Sequence, residues 1–186
     1  MKNFIPEENT MRLETGRLVL EPIKLIHAAE LVELFSDAEL HQFVPFEPPT
    51  LEQQEKRCSL WASKISPDQS ELWLNWAARD RQSQKLIGHF QAGLKADLIA
   101  TVGYVVARSF QGKGIAKEGM VAVFEFLREV LHVREIKAWS DTRNKASHHL
   151  ARSLGMTQVG LIKSADYFKG SSSDEFVFSK VYEKGL

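Results

Sequence analysis

The sequence predicts a mixed α/β (α+β) fold, with a central, mainly antiparallel sheet of six to seven strands flanked by about four helices. Two observations support this class. Runs of β-branched and aromatic residues, bounded by glycine, proline and short polar segments, recur along the chain as strands. Together with the amphipathic segments they give the order strand, two helices, three strands, helix, strand, helix and two strands.

Length and composition limit the function. The 186 residues suffice for one domain with a full core, which we place at residues 13–186, after an N-terminal tail or extra edge at residues 1–12. Lysine plus arginine and aspartate plus glutamate number 24 each, so no overall charge favours nucleic acid or an anionic membrane as a partner. The single cysteine, Cys58, excludes an internal disulfide and a cysteine-based zinc cluster, and we expect no metal. The sequence has no signal-peptide pattern and no apolar stretch of ~18 residues, so we expect a cytoplasmic protein. We expect it to be a monomer or a homodimer.

The individual elements follow from periodicity and from their end signals. Strands are predicted at residues 17–22, 72–79, 85–92, 99–106, 135–139, 157–162 and 175–182, and helices at residues 28–35, 50–65, 115–130 and 144–154. Thr50 and Gln53 form a capping-box pattern at the start of the second helix. Residues 80–84 form a polar hairpin loop, and residues 163–174 are predicted to be a long loop. Three prolines exclude regular structure from residues 43–49, which suit either a plain linker or a wall of an acceptor site.

Several single residues have sufficient structural explanations. Cys58 is interpreted as a small buried apolar residue and His89 as a partly buried, hydrogen-bonded side chain. Asn144 can cap the last helix and Gly155 can terminate it.

The most informative stretch runs from a strand through a glycine bend, Gln111–Ala116, into an amphipathic helix. Gly112 and Gly114 lack a Cβ, so the backbone there can approach a ligand closely. The N–H groups of the following helical turn, with the helix dipole, favour an anion. Three cations, Arg108, Lys113 and Lys117, surround the same bend. A phosphate or diphosphate is the ligand that this arrangement suits, although a glycine-rich turn without any ligand would have the same pattern.

The bend is neither a Walker loop nor G-x-G-x-x-G. Its pattern, Q-x-x-G-x-A, resembles the signature of the GNAT superfamily of N-acetyltransferases, in which the backbone amides of the loop hold the pyrophosphate of acetyl-CoA. The start T-x-R-L-x-L-x-P at residues 15–22 resembles the branch that contains the ribosomal-protein N-acetyltransferases. The segment N-x-x-S from Asn144 to Ser147, followed by L-G-M, resembles the second acetyl-CoA segment of the family. The resemblance covers roughly residues 13–182.

This resemblance implies an acetyl-CoA-dependent N-acetyltransferase, with acetyl-CoA as a substrate and a protein N-terminal amine, ribosomal or other, or a small amine as acceptor. Asn144 would contact the pantetheine arm, and Ser147 would lie near the cofactor sulfur. A backbone N–H near Val105 or Val106 would polarise the acyl oxygen, a contribution of ~3 kcal/mol. The implied cofactor-binding residues are Tyr104, Val105, Val106, Arg108, Gln111, Gly112, Lys113, Gly114, Ile115, Ala116, Lys117, Asn144 and Ser147.

The general base departs from the family pattern. Relatives often have a glutamate where this chain has Thr101, and a threonine cannot act as a base at neutral pH. Either Thr101 orders a water that removes the proton, or a carboxylate elsewhere in the chain takes over this role. The ribosomal-protein branch can supply an acidic residue that matches Asp166, for which we expect partial burial and therefore a raised pKa. A solvated turn aspartate is the alternative at this position. If Asp166 accepts or relays the proton of the amine, Ser147 or Tyr167 would protonate the departing thiolate. A CoA-binding sensor or scaffold without turnover, and a nucleotide-binding protein that uses the same bend, remain as alternative functions.

Overall fold

The computed structural model describes residues 5–183. The strands are β1 (Leu13–Glu14), β2 (Leu18–Pro22), β3 (Glu71–Asp80), β4 (Leu86–Lys95), β5 (Ile99–Val106), β6 (Glu135–Asp141), β7 (Thr157–Phe168) and β8 (Ser171–Val181). The α-helices are α1 (Glu8–Met11), α2 (Ala28–Phe35), α3 (Leu51–Ala62), α4 (Ile115–Glu129) and α5 (Lys145–Ser153), and 3-10 turns occur at Leu25–His27, Ala38–His41 and Arg108–Phe110. None of the helices in these residues is both long and apolar enough to cross a membrane.

The strands form one sheet of eight, in the order β1-β2-β3-β4-β5-β6-β8-β7. Every neighbouring pair is antiparallel except β5 and β6, which are parallel and are joined through α4. The predicted mixed, mainly antiparallel fold is therefore confirmed. The strand beyond the expected six to seven is β1, whose two residues are too short to give a periodic signal.

The two parallel strands β5 and β6 stay together over a short distance only. Their register pairs Ile99 with Glu135, Ala100 with Ile136 and Thr101 with Lys137. Beyond Thr101, β5 continues to Val106 in register with β4, and β6 continues in register with β8. A gap therefore opens in the sheet between the carboxyl ends of β5 and β6.

Helices cover the sheet on both faces, and the alternation of side chains along β5 assigns each residue to a face. Tyr104 and Val106 belong to the core that includes Met120 and Leu127 of α4. Val105, between them, packs into a second core with residues of α2 and α3. The face that carries α4 and the face that carries α2 and α3 therefore both border the gap.

The two ends of the domain differ from the sequence-based expectation. Instead of a free tail, residues 8–11 form α1, and Met11 is only 1% exposed because it packs into the main core. Its carbonyl oxygen accepts a 2.7 Å hydrogen bond from Nε1 of Trp76. The residues around Met11 show no hydrophobic period, and Trp76 is 65 positions further along the chain. The contact between Met11 and Trp76 could therefore not be inferred from the local sequence pattern.

The expected long loop at residues 163–174 is wrong: most of it belongs to the hairpin of β7 and β8. The hairpin turns at Lys169 and Gly170, both with positive φ. A bulge lies between Ile162 and Asp166, and the Asp174 carboxylate fixes it by accepting hydrogen bonds from the Ser164 N–H and the Lys163 ammonium, each under 3 Å. The bulge breaks the period-two pattern, which is why these residues resembled a loop.

Other predictions are confirmed. Thr50 and Gln53 exchange the two hydrogen bonds of a capping box at the start of α3. Cys58 is fully buried, and this burial raises the pKa of its thiol, as expected for a structural cysteine. The predicted hydrogen bond of His89 is present, at 3.0 Å between its Nε2 and Oδ1 of Asn75, but the side chain is fully rather than partly buried, with 4% exposed.

Candidate active site

The bend between β5 and α4 has the geometry of an open anion site. Gly112 and Gly114 have φ angles of 69° and 77°, in the region that glycine adopts without strain. A Cβ on Gly112 would meet nothing within 4 Å, and one on Gly114 would meet only the Arg17 guanidinium, at 3.5 Å. The N-cap residue of α4 is Gly114, which has no side chain to cap the helix, and among residues 5–183 no other side chain bonds to the N–H groups of its first turn, so these groups are available to a ligand. Gln111 fixes the bend, because its Nε2 donates a 2.9 Å hydrogen bond to the Val106 carbonyl.

The cations around the bend are not equivalent. The Arg108 guanidinium turns to the 3-10 segment before α3, where Asp37 lies at 2.9 Å and Glu39 at 3.8 Å, so carboxylates already compensate its charge. Lys113 and Lys117 are exposed, and neither pairs with a carboxylate of the described residues. These two lysines are therefore the cations that a diphosphate at the bend would meet.

Arg17 is a contributor that the sequence reasoning missed. Its Nη1 donates a 2.8 Å hydrogen bond to the Lys113 carbonyl, and its Nε pairs with Glu118 at 2.6 Å. Glu118 also accepts a 2.6 Å hydrogen bond from Thr15. The T-x-R segment thus ties the first hairpin to the start of α4, and its motif was the available signal for that role.

Backbone groups of β5 point into the gap on alternate residues. The Ala107 N–H bonds to the Ile87 carbonyl at 2.8 Å, which marks a hydrogen-bonded pair of the β4–β5 ladder. By the antiparallel alternation, Val105 directs its N–H and carbonyl to β4, whereas Tyr104 and Val106 direct theirs to the gap. Of the two residues expected to polarise an acyl oxygen, Val106 has the suitable orientation and Val105 does not.

Hydroxyl groups gather on the α4 and α5 side of the gap. Asn144 caps α5, accepting a 3.1 Å hydrogen bond from the Ser147 N–H. Burial raises the pKa of the Tyr104 phenol, and the nearby Ser147 side chain partly opposes that rise. If the β5–β6 register is continued, Ser140 lies opposite Tyr104. The buried hydroxyl of Ser140 has no hydrogen-bond partner among the described residues. The structure therefore groups Ser147 with Tyr104.

The residues expected to complete the chemistry, Asp166 and Tyr167, lie on the β7–β8 hairpin. The expectation that Asp166 is partly buried is wrong, because the bulge in β7 leaves its side chain exposed. Its Oδ1 accepts a 2.7 Å hydrogen bond from the Tyr167 N–H, and the Tyr167 residue is 71% exposed. The hairpin turn reaches the α2–α3 side, where the Lys169 ammonium donates to the His41 carbonyl at 2.5 Å.

Two further carboxylates, which the sequence reasoning did not single out, lie near the end of β6. Asp141 is buried and accepts hydrogen bonds from the Arg143 guanidinium and the Ser173 hydroxyl, which lower its pKa to about 2. Glu175 lies opposite Asp141 on β8, and its pKa is raised by burial first and then by the charges of Asp166 and Asp141. Neither residue belongs to a local motif, since only the strand register brings them together.

Comparisons with known proteins agree with this geometry. The family model described as acetyltransferase (GNAT) domain matches residues 17–157. The chain belongs to the GNAT acetyltransferase family. It is an N-acetyltransferase family enzyme with the GNAT fold. The resemblance inferred from the Gln111 bend and from Asn144 and Ser147 is thereby confirmed at the level of the family.

Individual relatives are distant but cover most of the chain. An uncharacterized N-acetyltransferase p20 of Bacillus licheniformis is 25% identical over 90% of this chain and 94% of its own length. The ribosomal protein uS5 alanine N-acetyltransferase of Escherichia coli is 25% identical over 82% of this chain and 81% of its own. The structure of RimL, a ribosomal L7/L12 alpha-N-protein acetyltransferase in complex with coenzyme A, is 20% identical, with a TM-score of 0.79 over 90% of this chain and 95% of its own. This last similarity shows the common fold.

Proposed function

We propose that this GNAT enzyme transfers an acetyl group from acetyl-CoA to a primary amine, by direct attack within a ternary complex. The observation that carries the proposal is the gap between β5 and β6, which ends at the open glycine bend. An anion site at the mouth of a cleft that backbone groups of β5 face suits a long ligand with a diphosphate at one end and amides along its arm. Distant relatives of the same fold bind coenzyme A, as the RimL complex illustrates.

The residues present fit acetyl-CoA. Backbone N–H groups at Gly112–Lys117 would hold the diphosphate, with Lys113 and Lys117 supplying charge. The gap-facing N–H and carbonyl groups of Tyr104 would bond to the amides of the pantetheine arm as a neighbouring strand would, whereas the Val106 carbonyl is already bound by Gln111. Asn144 would contact the same arm from the start of α5. When bound, acetyl-CoA supplies an activated thioester.

The chain's own groups then stabilise the transfer. The Val106 N–H would donate to the acyl oxygen, and a donor of this kind is typically worth ~3 kcal/mol. Ser147 would give a proton to the sulfur as the thioester breaks, with the Tyr104 phenol behind it as the second hydroxyl. No covalent enzyme intermediate is required, which agrees with a buried Cys58 whose thiol pKa is raised.

The acceptor amine would approach from the side of α2, α3 and the β7–β8 turn, opposite to α4. A protein N-terminal amine is the preferred acceptor class, because the Escherichia coli relative acetylates an alanine of ribosomal protein uS5. Residues 43–49 and the hairpin turn at Lys169 border this side. A small amine is the second acceptor class.

A CoA-binding protein without turnover is the competing function, and Thr101 is the observation that favours it. Thr101 lies at the last β5–β6 pair, where a glutamate base would be expected, and its hydroxyl is 3.5 Å from the Gly93 carbonyl. The two functions differ in a single measurement. An enzyme releases thiol from acetyl-CoA when an amine is added, whereas a sensor binds acetyl-CoA without release.

Thermal unfolding tests the binding half of the proposal. Acetyl-CoA at a hundredfold excess over its dissociation constant should stabilise the fold by ~2.7 kcal/mol. A melting temperature unchanged by millimolar acetyl-CoA would refute the proposal, and a larger shift with ATP or NAD would favour a nucleotide-binding protein. A panel of alanine- and serine-terminated peptides, polyamines and aminoglycosides, assayed for acetyl-CoA-dependent thiol release, tests the transfer.

A further inference from the structure

Glu175 occupies a central position among the strands beyond the gap. It pairs with Asp141 of β6 on one side and with Ile162 of β7 on the other. The next residue on β8, Phe176, faces α5, because its ring contacts the His148 ring at 5.1 Å between centroids. Phe178, two residues further on, lies on the same face as Phe176. Because adjacent side chains on a strand point to opposite faces, Glu175 points away from α5, to the acceptor side.

Measured along the strand direction, Glu175 lies at the same position as the part of β5 whose backbone groups would contact the acyl group. The last parallel pair joins Thr101 to Lys137, and four further residues along each strand set Val105 level with Asp141. Since Asp141 pairs with Glu175, the glutamate lies one strand beyond β6 at the level of the backbone groups that face the gap. Glu175 is one strand spacing, about 4.8 Å, from β6, which forms one wall of the gap, so one bridging water can connect its carboxylate with an amine that enters the gap from the acceptor side.

Glu175 differs chemically from the other carboxylates nearby. The Asp141 carboxylate is bound by Arg143 and Ser173, and Asp174 pairs with Lys163 at 2.7 Å. Glu175 is half-buried, and no cation or hydrogen-bond donor among the described residues contacts its carboxylate. A half-buried carboxylate without a partner is available to accept a proton.

The charges that face Glu175 come from both neighbouring strands. Asp141 stands directly opposite on β6, and Asp166 pairs with Ser173, two residues before Glu175, which makes it a diagonal neighbour on β7. Arg143 is already committed to Asp141. Like charges on both sides, added to burial, disfavour the ionised form of Glu175 and bring its pKa closer to neutral.

We propose that Glu175, rather than Asp166, takes the proton from the acceptor amine, directly or through one water. This inference rests on the proposed acetyl transfer. One proton of the ammonium passes to Glu175 and then to solvent, and the lone pair forms the new C–N bond. The C–S bond breaks, the sulfur takes a proton from Ser147, and solvent returns that proton to Ser147 while the nitrogen releases its second proton. Asp166 acts on Glu175 through its charge and is a positioning residue.

Three isosteric variants separate these roles, with an alanine-terminated hexapeptide as acceptor. Glu175→Gln should lower kcat/KM ~10²-fold or more at pH 7, and the loss should shrink as the pH approaches the pKa of the amine. Asp166→Asn should lower it less than tenfold and move the acidic limb of the pH profile to lower pH. Asp174→Asn is the matched control on the same strand, because its side chain is tied to Lys163. All three should bind acetyl-CoA as the unmodified protein does.

A titration supplies a second measurement that needs no acceptor. Carbon-13 NMR of the glutamate carboxyl groups should show one that titrates above the ordinary range, is absent in Glu175→Gln, and moves downward in Asp166→Asn. A Glu175 carboxyl that titrates at its ordinary pKa overturns the inference even in an active enzyme. So does a hundredfold loss in Asp166→Asn that equals or exceeds the loss in Glu175→Gln. If acetyl-CoA fails to bind the unmodified protein, the proposed function itself fails, whatever the titration gives.

Discussion

His89 is buried between aromatic rings, and its burial predicts a loss of stability in mild acid. Its ring stacks on Trp61 at 4.7 Å between centroids and meets the edge of Phe35 at 5.9 Å. Removal from water lowers its pKa from 6.5 to about 4. Between these two values the unfolded chain binds a proton at this residue and the folded chain does not. Stability conferred by the neutral ring is therefore present at neutral pH and decreases as the pH falls below 6.5.

The magnitude follows from the shift in pKa. Each unit corresponds to about 1.4 kcal/mol, so the full effect is about 3 kcal/mol, of which about 2 kcal/mol is lost between pH 7 and pH 4.5. The change to make is His89→Gln, which keeps a donor for Asn75 but has no titrating group. This variant loses the stacking on Trp61 and should be less stable at pH 7, by an amount that shrinks in acid.

Urea unfolding of both proteins at several pH values between 7 and 4.5 provides the measurement. The carboxylates contribute to the pH dependence of both proteins alike, so the difference between the two curves isolates His89. We expect the unmodified protein to lose about 2 kcal/mol more than the variant over this range. Parallel curves would refute the reasoning, because they would mean that His89 takes up its proton equally well in the folded and unfolded states.

Two further predictions concern the glycine bend and the end of β6. Gly114→Asp should abolish the stabilisation by acetyl-CoA, through charge repulsion with the diphosphate, whereas Gly170→Asp, at a similar φ of 76° in the hairpin turn, should leave it intact; a thermal shift that persists in Gly114→Asp contradicts the placement of the diphosphate. Asp141→Asn should lower the free energy of unfolding by roughly 1–3 kcal/mol at pH 7, because Arg143 and Ser173 lose a charged acceptor. That difference should shrink as the pH falls through 3.8 towards about 2, where the unmodified carboxylate is also protonated, and equal urea midpoints at pH 7 would contradict it.

Features set by short-range sequence patterns were predictable. The glycine bend at Gln111–Ala116, the capping box of Thr50 and the Asn144 cap each depend on residues within six positions, and the structure has all three. The strands β2 to β6 were also recognised, because their apolar residues are continuous or alternate.

Features set by register were not predictable. Glu175 faces Asp141 and Asp166 only because β8 lies between β6 and β7, an order that no local pattern specifies. Tyr104 and Ser147 likewise meet across the fold. Asp166 was expected to be partly buried from its apolar neighbours in sequence, but the bulge before it turns the side chain to solvent. Burial of a single side chain depends on strand geometry that the composition of its neighbours does not determine.

The short pairing between β5 and β6 has a mechanical consequence. Within the sheet, three residue pairs join two blocks of strands, β1 to β5 and β6 to β8, and the angle between the blocks depends on these pairs together with the core shared around α4 and the hydrogen bond from Lys169 to the His41 carbonyl. A ligand arm that bonds along β5 in the proposed complex would occupy the place of a missing strand, and the width available to it would be fixed by that angle. Substitutions of Ala100 or Ile136, which are buried at the junction and touch no ligand, would then alter cofactor affinity by changing how far apart the blocks stand.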